Sequence, residues 1–212
     1  LDNVLTYIDD VLIYTAEWDH HLDTLELALD RLRKAGLKLN LSKCRFGCDR
    51  VEYLGHEIGV DGIRPSKDKK KAMLDFPTPA SVKDLRSFLG LANFFRSFIP
   101  GFASTASPLF RLTRKAAAWH GGPLPADARI AFATLRGALA SSPVLAYPNR
   151  EGEFRLYVDA STGSYDEEGK EGGLGACLMQ IQPDGSERVI GFASRRLLAH
   201  ERNYPPGLLE MA

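Results

Sequence analysis

The sequence has 212 residues, 44% of them hydrophobic and 25% charged, and its 27 Lys and Arg balance 27 Asp and Glu. This is the profile of a soluble chain of one large domain or two to three small ones. No run approaches the roughly 18 apolar residues of a membrane span and no basic-then-apolar leader opens the chain, so an intracellular setting, cytoplasmic or nuclear, with no membrane partner and no secretion signal is expected.

The first predicted element is a hairpin. Val4-Leu5-Thr6 and Val11-Leu12-Ile13-Tyr14 read as short strands flanking Tyr7-Ile8-Asp9-Asp10. Successive side chains of a strand point to opposite faces, so Asp9 and Asp10 share a neighbourhood only where the backbone bends between the two runs. Paired carboxylates at such a tip suit Mg²⁺, which takes hard oxygen ligands and in two-metal sites clamps both oxygens of a phosphoryl displacement. An isolated Asp-Asp pair reads more readily as a solvated turn, since Asp is a common turn residue, and it is the rest of the chain that reverses this.

A helix follows, with Trp18, Leu22, Leu25, Leu29 and Leu32 on one face that is expected to be buried, and Gly36 placed to end it. Leu37-Lys38-Leu39 and the run Val51 to Ile58 read as strands, and Asp61-Gly62 reads as a hairpin turn before Ile63-Arg64-Pro65. Cys44, Cys48 and His56 form a partial zinc set without a well-spaced fourth ligand. With three cysteines in all, buried free thiols are expected rather than zinc or a disulfide framework.

From Ser66 to about Lys115 the pattern is helical, punctuated by Pro77, Pro79 and Pro100. Ser81-Val82-Lys83-Asp84 has capping-box spacing ahead of a face made by Leu85, Phe88, Ala92 and Phe95. Charge is concentrated here. Residues 62 to 115 carry 11 Lys and Arg against 3 Asp and Glu (+8), residues 1 to 61 carry 7 against 12 (−5), and residues 116 to 212 carry 9 against 12 (−3). A basic segment between acidic ones fits a part that grips phosphates between parts that hold metal ions. Lys69-Lys70-Lys71 taken alone reads as a solvated helix face.

Residues 116 to 125 look like a linker, and a helix is expected from about Asp127 to Leu139. Phe154, Leu156 and Val158 then alternate with Arg155, Tyr157 and Asp159, which predicts a strand with one buried face and Asp159 on the other. Thr162 to Gly173 reads as a flexible loop. Leu174 to Met179 and Arg188 to Ala193 are further strands, and a helix begins near Pro206 with Glu210 in its first turns.

Nine strings, in this order and spacing, resemble the pol polyprotein of Gypsy-type LTR retrotransposons: Tyr7-Ile8-Asp9-Asp10, Leu37-Lys38-Leu39-Asn40, Tyr53-Leu54-Gly55-His56, Gly62-Ile63-Arg64-Pro65, Phe88-Leu89-Gly90-Leu91, Phe98-Ile99-Pro100, Ser142-Pro143-Val144-Leu145, Val158-Asp159-Ala160-Ser161 and Glu201-Arg202-Asn203-Tyr204. The resemblance implies an α+β chain in four parts. These are the C-terminal half of a reverse-transcriptase palm (1–65), a helical thumb (66–118), a tether with a helix (119–150) and an incomplete ribonuclease H-like domain with a mixed sheet (151–212).

The resemblance also implies roles for the matched positions. Asp9 and Asp10 become metal-binding aspartates of the polymerase and Tyr7 lies beside the primer terminus. Tyr53, Leu54 and Gly55 match the lead into the primer grip, while the thumb, with Lys69, Lys70, Lys71 and Arg86, follows the RNA/DNA template–primer duplex. Asp159 and Glu210 match carboxylates of the ribonuclease site. Mg²⁺ is the implied cofactor, and the rest of the polyprotein is an implied partner.

Three departures go with it. A further palm aspartate and two further ribonuclease carboxylates fall outside these residues, the loop after Asp159 is long and acidic, and Gly207-Leu208 stand where the family often has Thr-Glu. The 212 residues alone are therefore expected not to extend a primer or cut a hybrid. The other reading is a non-catalytic nucleic-acid-binding or interaction module of retroelement origin, or a fragment that exposes apolar surface and aggregates.

Overall fold

The computed structural model describes residues 2–149, 151–161, 165–166, 169–170 and 172–209. The chain falls into two compact units, Leu1–Leu54 and Gly55–Ala212.

In the first unit, β1 (Val4–Tyr7) and β2 (Asp10–Ile13) form an antiparallel hairpin in which Tyr7 lies opposite Asp10. The turn has two residues, Ile8 and Asp9, and Ile8 has φ 54°. A positive φ at the first central position alone is the signature of a II′ turn, which normally takes glycine there. Ile8 is 89% exposed, so its side chain gains no packing for this strained backbone. A branched residue in the left-handed region costs about 1–3 kcal/mol. Ile8→Gly is accordingly expected to raise stability by about 1 kcal/mol once glycine's greater unfolded-state freedom is subtracted, as read from urea midpoints.

Helix α1 (Trp18–Lys34) follows. Its end is a Schellman motif: Gly36 has φ 72°, its N–H donates to Arg33 and the Leu37 N–H donates to Leu32. Gly36 therefore ends the helix as the sequence predicts. The leucine stripe is not buried as expected. Thr24 and Ala28 are the buried positions, whereas Trp18 is 60% and Leu22 45% exposed. Helix α1 is in contact with β2 of the hairpin, and Leu22, Leu25 and Leu29 line an open groove with Glu26, Asp30 and Arg33.

Leu37–Leu39 is not a strand. Asn40 Oδ1 accepts the Ser42 N–H at 3.2 Å and the Ser42 hydroxyl at 2.7 Å, capping a short 3-10 turn over Leu41–Lys43. Local side-chain bonds of this kind compete with strand pairing. The run from Val51 to Ile58 is also not one strand. β3 (Arg50–Tyr53) stops where Leu54 and Gly55 take φ of 50° and 77°, and β4 (His56–Gly59) begins beyond them.

In the second unit β4 pairs with β5 (Gly62–Pro65) around a two-residue turn at Val60-Asp61. Helices α2 (Lys67–Leu74), α3 (Val82–Phe94), α4 (Phe102–Leu112) and α5 (Ala126–Ala140) then share one core. Ser66 and Ser81 cap α2 and α3, each accepting a backbone N–H three residues on. Leu85, Phe88, Ala92 and Phe95, the face expected from the sequence, are all fully buried. The rings of Phe88 and Phe132, on α3 and α5, lie 4.5 Å apart.

The last layer is an antiparallel sheet in the order β10 (Glu187–Arg196), β9 (Gly173–Ile181), β6 (Phe154–Ser161). Helix α4 packs on it, and the Ser194 hydroxyl oxygen accepts the Ala103 N–H at 2.9 Å. Within 162–173, β7 (Tyr165–Asp166) and β8 (Gly169–Lys170) pair as a small ladder. A 3-10 turn at Glu201–Asn203 and the short α6 (Pro206–Leu209) follow β10.

The expected buried face of β6 is not buried. Phe154, Leu156 and Val158 are 49%, 64% and 49% exposed: α4 packs over β10 and β9, and β6 lies beyond them at the edge of the sheet. Among the described residues no helix is long and apolar enough to cross a membrane.

Candidate active site

The hairpin tip places three of the predicted site residues together. Tyr7 ends β1 and is 55% exposed, Asp9 occupies the turn, and Asp10 opens β2 opposite Tyr7, with both carboxylates exposed to solvent. The strands fix the spacing, since a two-residue turn leaves no slack between Tyr7 and Asp10. Two adjacent carboxylates offer hard oxygen donors of the type Mg²⁺ takes, and so fit part of its six-ligand shell. Among the described residues no group of three or more His, Cys, Asp or Glu gathers to complete such a shell.

Tyr53 ends β3 half-buried, and Leu54 and Gly55 form the positive-φ pair beyond it. A Cβ on Gly55 would meet the Phe94 ring at 3.5 Å and the Lys69 stem at 3.6 Å, so the backbone at Gly55 lies against α3 and α2. His56, the next residue, is ringed by Phe94, Phe95 and Phe98 at centroid distances of 5.2, 5.5 and 5.7 Å. That box is a packing environment. The thiols are not buried as expected: Cys48 is exposed and Cys44 and Cys177 are half-buried, all three free.

The basic residues lie on helix surfaces. Lys69 and Lys71 are exposed on α2 and Lys70 is half-buried. Lys71 Nζ pairs with Asp75 at 2.7 Å, and the hydrogen bond and charge of that carboxylate raise the ammonium pKa. Arg86, exposed on α3, donates to the Thr113 carbonyl at 3.0 Å.

In the sheet, Asp159 sits on β6 opposite Gly175 of β9, exposed, on the face away from Phe154, Leu156 and Val158. Glu210 lies outside the described residues.

Two further polar contacts were not anticipated from the sequence. Gln180, fully buried, accepts the Asn149 N–H at 2.7 Å and donates to the carbonyls of Asn149 and Gly152 at 2.6 and 3.0 Å. Arg195 holds both Glu201 oxygens at 2.7 and 2.8 Å, tying β10 to the turn that leads to α6. The Arg195 hydrogen bonds, joined by the Leu198 N–H, bring the Glu201 carboxyl down from 4.5 to about 2. A depressed carboxyl stabilises the fold above its unfolded value and loses that contribution as pH falls through its folded value. Stability is therefore expected to fall between pH 4.5 and about 2, and Glu201→Gln is expected to flatten that part of a pH-dependent unfolding series.

Hairpin tip, helical core and antiparallel sheet define a reverse transcriptase segment followed by a ribonuclease H-like one. Residues 2–58 match the reverse transcriptase (RNA-dependent DNA polymerase) family and residues 125–212 match the RNase H-like domain found in reverse transcriptase. The retrovirus-related Pol polyproteins of the transposons opus and gypsy of Drosophila melanogaster are 36% and 34% identical. Each alignment covers 93% of this chain and, respectively, 20% and 19% of the relative.

The chain superimposes over its whole length on 27% of the foamy viral protease-reverse transcriptase solved in complex with RNA/DNA hybrid, with a TM-score of 0.81 at 23% identity, which shows a common fold. Its homologues are thus retrotransposon Pol polyproteins, and the two family matches fit a Gypsy-type Pol fragment. The chain spans about a fifth of the length of these curated relatives. Families of both matched kinds use divalent metals.

Proposed function

We propose that the chain provides the C-terminal half of the palm (1–65) and the thumb (66–118) of an RNA-directed DNA polymerase, a tether (119–150), and the opening of its ribonuclease H domain (151–212). The observation that carries this reading is the hairpin tip, where Tyr7, Asp9 and Asp10 share one rigid turn inside the stretch matched to the reverse transcriptase family. Mg²⁺ held there supplies charge stabilisation on the phosphoryl group being transferred.

Asp9 and Asp10 provide two of its ligands, Tyr7 flanks the primer terminus, and the Tyr53-Leu54-Gly55 turn orients the 3′ hydroxyl. Lys69, Lys70, Lys71 and Arg86 face the phosphates of an RNA/DNA template–primer duplex, and Asp159 with Glu210 serves the hydrolytic site. The remaining Pol segments complete both sites inside the cell, in cytoplasm or nucleus, and the 212 residues by themselves extend no primer.

Two substitutions in a Pol protein carrying these residues separate the activities. Asp159→Asn is expected to abolish cleavage of the RNA strand of a hybrid and to keep primer extension, and Asp9→Asn the reverse. Retention of hybrid cleavage by Asp159→Asn would remove it from the site. Nucleotide incorporation by the purified 212-residue chain, abolished by Asp9→Asn, would overturn the proposed dependence on other segments.

A further inference from the structure

The β4–β5 hairpin is held at both ends. At the near end Gly55 belongs to the turn assigned above to the primer terminus, and His56 beside it is boxed by Phe94, Phe95 and Phe98. At the far end, Gly59-Val60-Asp61-Gly62 is gripped by residues more than 80 positions away. The Tyr147 hydroxyl donates to the Gly59 and Gly62 carbonyls at 3.0 and 3.4 Å, and Arg188 Nη2 donates to the Asp61 carbonyl at 2.6 Å.

Ile63 and Leu145 exchange backbone hydrogen bonds at 2.8 Å in each direction, and the Ala146 N–H donates to Val189 of β10 at 2.7 Å. Leu145-Ala146 is thus a rung that carries hydrogen bonding from β5 into β10. Tyr147 and Arg188 fall in the stretch matched to the ribonuclease H-like domain. The hairpin they hold continues from the polymerase-matched stretch.

The sheet that holds β4 and β5 is only three short strands wide, so the direction of the hairpin depends on what it is joined to. β4 is four residues long, about 13 Å at strand rise. A tilt released at the Val60-Asp61 end therefore reaches Gly55 with little loss. Misplacement of a reacting group by about 1 Å costs up to roughly 10²-fold in rate.

We infer that Tyr147 and Arg188 are positioning residues for polymerisation: from the ribonuclease H-like stretch, they fix the far end of the hairpin whose near end orients the primer terminus. The inference rests on the assignment of the Leu54-Gly55 turn to that terminus. It couples the two activities through the backbone, with no bound ligand passing between them.

The test uses a Pol protein carrying these residues, with Tyr147→Phe, Arg188→Ala and Arg188→Lys compared in single-nucleotide incorporation on a primed RNA template. Rates are taken per active site titrated from the burst, so that an unfolded fraction does not count. Tyr147→Phe removes one oxygen atom and keeps the ring packing. Tyr147→Phe and Arg188→Ala are each expected to slow the burst about three- to tenfold, the span that loss of a hydrogen bond covers. Their Kd for the primed template is expected to stay within about twofold of the parent, because the thumb face is untouched. Arg188→Lys, which keeps a donor, is expected to recover at least half of the parent rate.

Unchanged burst rates in both Tyr147→Phe and Arg188→Ala overturn the inference, as does a slowing matched by an equal loss of duplex affinity. Normal incorporation by Asp9→Asn in the same assay would instead sink the underlying site assignment and the inference with it, a pattern distinct from failure of the clamp alone.

Discussion

Asparagine in place of Asp10, or of Asp9, is expected to lower primer extension by a Pol protein carrying these residues about 10³-fold or more, with the thermal midpoint moved by no more than about 2 °C. The large effect follows from what the carboxylates do. Phosphoryl transfer is catalysed mostly by positioning and by electrostatic stabilisation, and a metal ligand contributes to both. Several kcal/mol of transition-state stabilisation, at about 1.4 kcal/mol per tenfold, amounts to three orders of magnitude.

The small effect follows from where they sit. Both side chains are exposed at a hairpin tip, and Asn fills turn positions as readily as Asp. A variant that lost activity together with its fold would count against the reading, since a site built on a rigid turn separates the two.

Alanine at Gly62 is expected to destabilise the protein by about 3–5 kcal/mol, measured as a lowered denaturant midpoint at unchanged slope. Gly62 has φ 129°, a region closed to alanine, and an added Cβ would come closer than 3.0 Å to the Leu145 carbonyl oxygen, a backbone atom with nowhere to go. Relief of the clash separates Ile63 from Leu145 and breaks both bonds of that rung. Gly90→Ala is the control. Gly90 lies inside α3 with nothing within 4 Å of an added Cβ, so the same chemical change there is expected to stabilise by about 0.5–1 kcal/mol. Equal effects at the two positions would show that the rung is not what makes Gly62 special.

Legibility in the sequence tracked the range of the interaction. Gly36 and the serines at 66 and 81 act within a turn of themselves, and the buried face Leu85–Phe88–Ala92–Phe95 is a periodicity that survives packing. The Asp9-Asp10 tip was readable for the same reason, as a short-range turn between two apolar runs.

Errors arose where a local pattern needed a distant surface. The α1 leucine stripe and the Phe154–Leu156–Val158 face have the right periodicity for burial, yet Trp18 and Leu22 and all three residues of the β6 face stay exposed. Leu37–Leu39 had strand composition, but Asn40 captured the following backbone first. Tyr147, Gln180 and Arg188 were unreadable, since each acts on carbonyls or amides far off in sequence that no residue type announces.

The grip of Arg188 on the Asp61 carbonyl spans 127 positions. During synthesis at roughly 5–20 residues per second, the β4–β5 hairpin waits about 6–25 s for the residue that secures it. For the first part of that interval, until Leu145 has been made, the outer backbone of β5 stands as an unpaired strand edge. Gly62 leaves that edge open, since it has no side chain to stand in the way of an approaching backbone. The close fit that secures the mature hairpin thus has its counterpart in an edge that stays exposed to mispairing while the chain is still emerging.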